Sequence, residues 1–363
     1  MMDKLVDHAW ISLLASVMKK RDTMRSEMGD EIDLYVPQSR LLSLAKSNVA
    51  VPKLLYQAAY SSAHRNAINI MSKLGMPADY FWKFEYWPKG RALTTLGQIV
   101  NRVFSSMMSQ AKQGSLKIAD LDIDPLRINI SFESCVECAG ISGLQQGICY
   151  YHAGIFSGIL SALINRELDG FETSCCACGG ESCNFILGDK TDEYIKTEYD
   201  TYISPSEIEA DWLPCLDKSL HNLPVRALGN VVDINYLRLV MASTLIADQQ
   251  LYASANFEVG CQHGRKLAPV LAEFYGQAGL QNISKYYSQS HQLSIEIKEN
   301  KPKLELVIKE CPESVGDIKI VEMISFLSGE LQGLTSELTN TEMTIEESRF
   351  EDDSLLLTFT PKV

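Results

Sequence analysis

Cysteine is the residue through which this sequence can do chemistry most clearly. The chain contains ten cysteines, and seven of them lie between Cys135 and Cys183. Such a density is far above average usage, and thiolates are ligands for zinc and for iron–sulfur clusters. In a reducing cytosol, clustered cysteines indicate metal binding or redox chemistry before they indicate disulfides. This segment is therefore the candidate functional site.

Two metal sites can be drawn from this segment, and the first combines three thiols with a carboxylate. Its ligands would be Cys149, Glu172, Cys175 and Cys183. These are ordinary zinc donors, and four protein ligands make a closed, structural site. Glu172 and Cys175 are an odd number of residues apart, whereas side chains on an ideal strand alternate between its two faces. This set therefore requires a bulge or a frayed strand end between the two residues.

The second site uses Cys-x-x-Cys motifs. Cys135 and Cys138 form one pair, and Cys175 and Cys178 form another, with Cys176 inside it. Paired motifs of this kind are typical of zinc and iron–sulfur sites, and from spacing alone they are the stronger signal. The second metal or redox set that we predict consists of Cys135, Cys138, Cys176 and Cys178. The residues themselves leave open whether the metal is zinc or an iron–sulfur cluster.

The elements that must position these cysteines occur twice in the same order. Alternating apolar residues predict a hairpin over residues 116–132, a helix over 150–165 and a second hairpin over 171–187. Helices over 52–74 and 94–112 precede this unit, and Thr94 is the expected N-cap of the second of them.

After residue 211 the pattern repeats. The predicted elements are helices over 234–248 and 256–275, a hairpin over 293–308, a helix over 317–338 and a last hairpin that turns at 351–353. The fold class is therefore α/β (α+β), with two tandem helices-hairpin-helix-hairpin units, each an antiparallel sheet packed with helices.

The repeat is also visible at the level of residues. Residues 125–130 and Cys135 match residues 301–306 and Cys311 at an offset of 176, and Gly154 and Gly158 match Gly329 and Gly333 at an offset of 175. A repeated unit of this length indicates duplicated domains. The predicted organisation is an N-terminal helical segment at 1–50, a first domain at 51–190, a polar linker at 191–211 and a second domain at 212–363.

The second copy lacks most of the metal donors. At the offset of 175, the first set of ligands becomes Ile324, Glu347, Phe350 and Thr358. We expect that this copy does not bind zinc there and is a structural half that pairs with the first. The glycines at 154 and 158, one helical turn apart, are interpreted as packing against a sheet.

The residues around the cysteines resemble a known family. Segment 149–158 (Cys-Tyr-Tyr-His-Ala-Gly-Ile-Phe-Ser-Gly), segment 172–175 (Glu-Thr-Ser-Cys) and segment 179–185 (Gly-Gly-Glu-Ser-Cys-Asn-Phe) are similar to the 4-vinyl reductase domain. The resemblance implies a fold related to the TRAPP vesicle-tethering subunits and to the sensory domains of phenol- and xylene-responsive activators. In those sensors Cys, Glu, Cys and Cys hold a zinc ion, so the resemblance implies the zinc site at Cys149, Glu172, Cys175 and Cys183.

The same resemblance implies a function. In the sensors the metal shapes the fold and an apolar pocket takes an aromatic ligand, so we expect the first domain to bind a small hydrophobic, aromatic or tetrapyrrole-like molecule. The pocket residues that we predict are Phe81, Trp82, Phe84, Tyr86, Trp87, Ile128 and Ile130.

Three alternative functions remain open from the sequence. They are an iron–sulfur or redox protein, a vinyl reductase acting on a tetrapyrrole, and an assembly or adaptor protein. The G-x-G-x-x-G fingerprint of nicotinamide and flavin enzymes and the Walker pattern are both absent, which favours a protein that is not an enzyme.

Composition excludes other classes of protein. The net charge of −13 repels phosphate backbones, so nucleic acid is not an expected partner. Apolar runs stay shorter than the ~18 residues that a membrane helix needs, and the first residues do not resemble a signal peptide. We expect a cytoplasmic protein whose partners are a small hydrophobic ligand and either a protein partner or a second copy of the chain.

Overall fold

The structure is a computed structural model, and it describes residues 28–73, 75, 88–208, 211–276, 279–311, 324–351 and 354–362, together with Val6, Asp7, Trp10 and Arg25. The side chains of residues 250–254 are outside the description. The predicted aromatic wall at residues 80–87 lies outside the described residues, as does most of the predicted N-terminal helix.

The described elements are helices and antiparallel strands. The helices are α1 Tyr35–Ser47, α2 Val51–Lys73, α3 Lys89–Ile99, α4 Ser106–Gln110, α5 Tyr150–Ile164, α6 Glu193–Tyr202, α7 Leu213–Leu220, α8 Ile234–Ala247, α9 Gln249–Phe274, α10 Gln281–Gln289 and α11 Ser325–Thr339. A π-helical segment, Val100–Ser105, joins α3 to α4, and Cys176–Cys178 form a 3₁₀ turn. The strands are β1 Glu31–Asp33, β2 Ser115–Ile123, β3 Leu126–Glu133, β4 Leu168–Ser174, β5 Cys183–Asp189, β6 Val231–Asp233, β7 Ser294–Asn300, β8 Lys303–Lys309, β9 Met343–Glu351 and β10 Ser354–Pro361.

The chain divides into two compact units. Unit 1 comprises Met1–Arg21 and Pro37–Ala247, and unit 2 comprises Asp22–Val36 and Asp248–Val363. Unit 1 contains a four-stranded sheet in the order β2-β3-β5-β4, and unit 2 contains a four-stranded sheet in the order β7-β8-β10-β9. All of these pairs are antiparallel. The equivalent strand orders confirm the predicted fold class and its repeated unit.

The apolar pattern of unit 1 explains its core. On β3 the side chains of Leu126, Ile128, Ile130 and Phe132 are buried and alternate with partly or fully exposed neighbours, as a strand with one covered face requires. Every residue of α5 is buried, because this helix packs against α2 and β4. The start of α5 is thereby held rigidly at the edge of the core.

Two glycines allow α5 to approach α2 closely. A Cβ atom at Gly154 would collide with the carbonyl oxygen of Tyr56, and one at Gly158 would collide with that of Tyr60. Both glycines therefore face the backbone of α2, whereas the sequence favoured their packing against a sheet. A glycine is needed where two backbones meet at this distance.

The stretch 191–211, predicted to be a linker, contains a folded helix. Asp192 is the N-cap of α6, and its carboxylate accepts hydrogen bonds from the backbone N–H groups of Tyr194 and Ile195. Ile195 is fully buried, and α6 packs on β4 and β5. The contacts place α6, α7 and α8 in unit 1, so the two units meet in sequence at residues 247 and 248. One buried residue among charged ones is too weak a pattern to reveal this helix.

The helix expected to begin at Thr94 begins earlier. Pro88 is the N-cap of α3, and Thr94 lies inside the helix, where its hydroxyl donates to the carbonyl oxygen of Gly90 at 2.7 Å. Among the described helices, none combines the length and the apolar character needed to cross a bilayer.

Candidate metal centre

Three regions of unit 1 bring five buried thiols together. Cys135 and Cys138 lie in the turn after β3, Cys149 is the N-cap of α5, and Cys175 and Cys183 lie at the facing ends of β4 and β5. All five are buried and none forms a disulfide. The site therefore ties a turn, a helix start and a hairpin to one another.

A bulge in β4 directs Glu172 and Cys175 to the same site. Glu172 pairs with Phe185 on β5 and Ser174 pairs with Asn184, so the register shifts between Glu172 and Ser174. The extra residue is Thr173, and inserting one residue reverses the face on which the following side chains lie. This is the irregularity that the odd spacing of the two ligands requires.

The first set of predicted ligands converges in the structure. The ligand atoms of Cys149, Glu172, Cys175 and Cys183 all lie within 4.8 Å of one another and all four residues are buried. The Sγ atom of Cys149 lies 3.9 Å from that of Cys175 and 3.8 Å from that of Cys183. A tetrahedral ion with zinc–sulfur bonds of about 2.3 Å has sulfur–sulfur edges of about 3.8 Å. The donors thus have the spacing of a tetrahedral zinc site.

Glu172 gives a second indication of a cation. Its Oε2 atom accepts a hydrogen bond from the backbone N–H of Cys149 at 3.1 Å, whereas its Oε1 atom is buried and has no hydrogen-bond partner among the described residues. Burial, with the neighbouring Cys175 and Cys135, raises the pKa of Glu172 well above its ordinary value. A metal ion would satisfy this oxygen and would favour the ionised carboxylate, so the residues fit such an ion.

A second tetrad uses the other Cys-x-x-Cys pair. The Sγ atoms of Cys135, Cys138, Cys149 and Cys183 also lie within 4.8 Å of one another. Cys135 Sγ is 3.6 Å from Cys149 Sγ, and Cys138 Sγ is 3.2 Å from Cys183 Sγ. The two tetrads therefore have Cys149 and Cys183 in common.

This second tetrad differs from the set predicted from the motifs. Cys178 is exposed, because the chain turns tightly after Cys175, whose carbonyl oxygen accepts the N–H groups of Cys178 and Gly180 at 3.0 Å. Cys176 is partly buried, and its Sγ atom lies 3.9 Å from that of Cys183. Thus Cys135 and Cys138 meet Cys149 and Cys183 rather than the second motif.

A buried histidine and glutamate lie beside the thiols. His152 is fully buried, and its Nδ1 atom contacts Glu137 Oε1 and lies 4.0 Å from Cys135 Sγ. Glu137 Oε1 also accepts from the N–H of His152 at 2.8 Å and from the hydroxyl of Tyr236 at 3.3 Å. Burial alone would lower the pKa of His152, but the Glu137 carboxylate raises it to about 9. Sequence reasoning missed Glu137, although a carboxylate inside a Cys-x-x-Cys motif is a usable signal.

Unit 1 also contains an aromatic groove that the sequence did not reveal. Its volume is about 560 Å³, and it is lined by Lys53, Tyr56, Gln57, Tyr60, Ser61, Asp169, Lys190, Tyr199 and Ala247. The ring of Tyr56 meets that of Tyr199 edge-on at 4.9 Å, and Tyr60 stacks between Tyr56 and His64. The usable signal was the spacing of four residues on α2. Ile128 and Ile130, predicted to line a pocket, are instead buried on β3 and do not line this groove.

Comparisons with known proteins agree with the segment that carries these thiols. Residues 128–189 match the family model of the 4-vinyl reductase domain. Over 84 residues the chain is 25% identical to an uncharacterized protein of Methanocaldococcus jannaschii, and the alignment covers 23% of this chain and 47% of that relative. The match thus spans about half of the relative's length.

Two solved structures are similar to part of the chain. The phenol-responsive sensory domain of the transcription activator PoxR with phenol is 14% identical, with a TM-score of 0.31 over 45% of this chain and 81% of that one. A trafficking protein particle complex subunit 3 from Naegleria fowleri, covalently bound to palmitic acid, is 12% identical, with a TM-score of 0.30 over 51% of this chain and 93% of that one.

All six donors of the two tetrads fall within the matched segment. The match confirms the family resemblance that the cysteine pattern predicts, and residues 128–189 are a 4-vinyl reductase domain.

Proposed function

We propose that unit 1 is a small-molecule-binding module whose fold is held by structural zinc at Cys149, Glu172, Cys175 and Cys183. The observation that carries the proposal is the convergence of these four buried donors within 4.8 Å. Four protein ligands complete a zinc tetrahedron and leave no coordination position for a substrate. The centre is therefore suited to holding the fold together and is poorly suited to catalysis.

The packing of the thiols favours zinc over an iron–sulfur cluster. In such a cluster several irons and inorganic sulfides lie between the cysteine ligands, which are spread around a cavity larger than one ion needs. Here the Sγ atom of Cys149 is only 3.8 to 3.9 Å from those of Cys183 and Cys175, close to the edge of about 3.8 Å that a zinc tetrahedron requires. Three thiolates and a carboxylate are also a common zinc donor set.

The aromatic groove is the proposed ligand site. Its volume of about 560 Å³ suits a small organic molecule, because such pockets typically measure about 300–1,000 Å³. The faces of Tyr56, Tyr60 and Tyr199 can pack against an aromatic ring, and Lys190 and Asp169 can orient a polar substituent. The match to the 4-vinyl reductase domain supports this role, since Asp169 and the rest of β4 belong to the matched segment.

The metal part of the proposal is tested by elemental analysis of the full chain purified anaerobically. We expect zinc in the unmodified protein and a loss of the ion at this tetrad in Cys175→Ala. The matched control is Cys178→Ala, which removes an exposed thiol outside both tetrads and should retain all of the metal. Iron with acid-labile sulfide, in a brown protein, would contradict the proposal.

The ligand part is tested with 2-naphthol as the probe, followed by its fluorescence. We expect saturable binding that weakens at least tenfold in Tyr60→Ala, because one face of the groove is removed. Tyr275→Ala is the control, since Tyr275 lies in unit 2 and outside the groove. Equal affinity in both variants would remove the groove as the site.

A further inference from the structure

We infer that unit 1 holds two metal ions in one binuclear centre, whose two tetrahedra share the thiolates of Cys149 and Cys183. The inference rests on the proposed zinc site and extends it. One ion would take Glu172 and Cys175 as its own ligands, and the other would take Cys135 and Cys138. Five thiols and one carboxylate would then all be used.

The arrangement of the sulfur atoms carries this inference. Each of the two tetrads brings four ligand atoms within 4.8 Å, and Cys149 and Cys183 occur in both. The shared edge between their Sγ atoms is 3.8 Å long. Cys135 approaches this edge at Cys149, at 3.6 Å, and Cys138 approaches it at Cys183, at 3.2 Å. Two tetrahedra joined at one edge reproduce this pattern.

A single ion would leave part of the cluster unexplained. If zinc took only Cys149, Glu172, Cys175 and Cys183, then Cys135 and Cys138 would remain as completely buried thiols in contact with two metal-bound thiolates. The thiolate is the form that binds metal, and a second ion gives these two groups the same partner as their neighbours. It also explains why a Cys-x-x-Cys motif accompanies a tetrad that is already complete.

Charge balance also favours two ions. Five thiolates and one carboxylate carry six negative charges, so one divalent ion leaves four uncompensated and two divalent ions leave two. A buried cluster requires such compensation. The Arg226 guanidinium stands on the Cys135 side of the cluster, where it donates to the carbonyl oxygen of Ser134 at 2.6 Å, and it can balance part of the remaining charge.

The donor chemistry defines the class of metal. Soft thiolates with one carboxylate select a borderline-soft divalent ion such as zinc, and cadmium is a suitable spectroscopic probe for the same ligands. Both tetrahedra are closed by protein ligands. The second ion would therefore fasten the turn after β3 to the start of α5 and to the β4–β5 hairpin.

The experiment measures metal content and metal environment on the full chain. Elemental analysis is expected to give two zinc ions per chain in the unmodified protein and one in Cys138→Ser. Cys178→Ser and Cys311→Ser are the controls and should keep both ions. The second control separates a binuclear centre from one site in each unit, because Cys311 lies in unit 2.

Cadmium-113 NMR of the unmodified chain tests the shared thiolates directly and does not depend on a variant that folds. Two resonances with mutual coupling through the bridging sulfurs are expected. One resonance, or two without coupling, would overturn the binuclear centre. One ion per chain, lost in Cys175→Ser and kept in Cys138→Ser, would also overturn it and leave the single zinc site standing. A metal-free protein would overturn both proposals.

Discussion

The same fold is built twice in this chain, once around metal donors and once around apolar side chains. In unit 1 the N-cap of α5 is Cys149, and in unit 2 the N-cap of α11 is Ile324. Cys183 pairs across the sheet with Phe132, and Leu355 pairs in the same way with Ile308. Ile324 and Leu355 are buried, so apolar packing occupies positions that metal ligands occupy in unit 1.

Strand register corrects the sequence-based alignment of the two copies. Glu172 pairs with Phe185, and the equivalent pair in unit 2 is Ser348 with Leu357. The counterpart of Glu172 is therefore Ser348 rather than Glu347, and that of Cys183 is Leu355 rather than Thr358. Phe350 does stand at the position of Cys175.

The cause of the misalignment is a difference in length. From Cys175 to Cys183 is 8 residues, whereas from Phe350 to Leu355 is 5, so unit 1 has 8 − 5 = 3 extra residues in this hairpin. The bulge in β4 adds one more between Glu172 and Ser174. A constant offset cannot follow these insertions. The metal-binding copy thus differs from the other in the length of its connections as well as in its donors.

The difference teaches that this fold has two ways to fasten one end of its sheet. Burying one leucine or isoleucine contributes roughly 1.5–3 kcal/mol, whereas structural zinc contributes about 10–16 kcal/mol in small zinc-dependent domains. Unit 1 therefore concentrates its stabilisation in one centre, while unit 2 distributes it over packed side chains.

Removing the metal with a high-affinity chelator should have the largest effect and should separate the two units. The buried donors would lose their common partner, so β4, β5 and the first turn of α5 should lose amide protection. Strands β9 and β10 should keep theirs. Hydrogen exchange read by mass spectrometry measures both, and an equal loss of protection in the two units would refute the comparison.

Giving unit 1 the residues of unit 2 should produce a metal-free fold. The combined variant is Cys149→Ile, Glu172→Ser, Cys175→Phe and Cys183→Leu. Its free energy of unfolding should be several kcal/mol below that of the metal-loaded protein and insensitive to chelators. It should exceed that of the stripped protein by roughly 1.5–3 kcal/mol for each large apolar side chain that is buried. Urea unfolding with and without chelator checks this, and a variant still stabilised by zinc would contradict it.

Changes at the helix crossings should affect both copies equally. A Cβ atom at Gly154 would meet the carbonyl oxygen of Tyr56, and one at Gly329 would meet that of Phe257. We expect Gly154→Ala and Gly329→Ala each to destabilise the chain by about 1–3 kcal/mol, the usual range for overpacking. Urea unfolding of the two variants side by side is the measurement. A cost confined to one of them would show that the two crossings are not equivalent.

The smallest effect is expected at Cys311, the counterpart of Cys135. Each follows a residue with positive φ, 56° at Glu310 and 54° at Ser134, and both cysteines are buried. Cys311→Ala should cost about 1 kcal/mol, an ordinary value for a point substitution, and should leave the metal content unchanged. Cys135→Ala should lower the metal content. Elemental analysis of the two variants decides, and loss of metal in Cys311→Ala would place a ligand in unit 2.

The sequence determined the repeat, the order of elements and the first set of four donors, because these depend on local patterns. Alternating apolar residues produce β3 and its equivalent β8, whose sequences can be read without neighbours. The need for a bulge between Glu172 and Cys175 followed from strand geometry alone, and the register shift is found there.

Only the tertiary structure decided which thiols meet. Cys178 belongs to a regular motif, yet the tight turn after Cys175 leaves it exposed. Cys138 instead reaches Cys183, which is 45 residues away in the chain. The aromatic groove likewise combines Tyr56 on α2 with Tyr199 on α6. Motif spacing reports only the distance along the chain, whereas a metal or ligand site depends on distances in space that strand register and helix packing set.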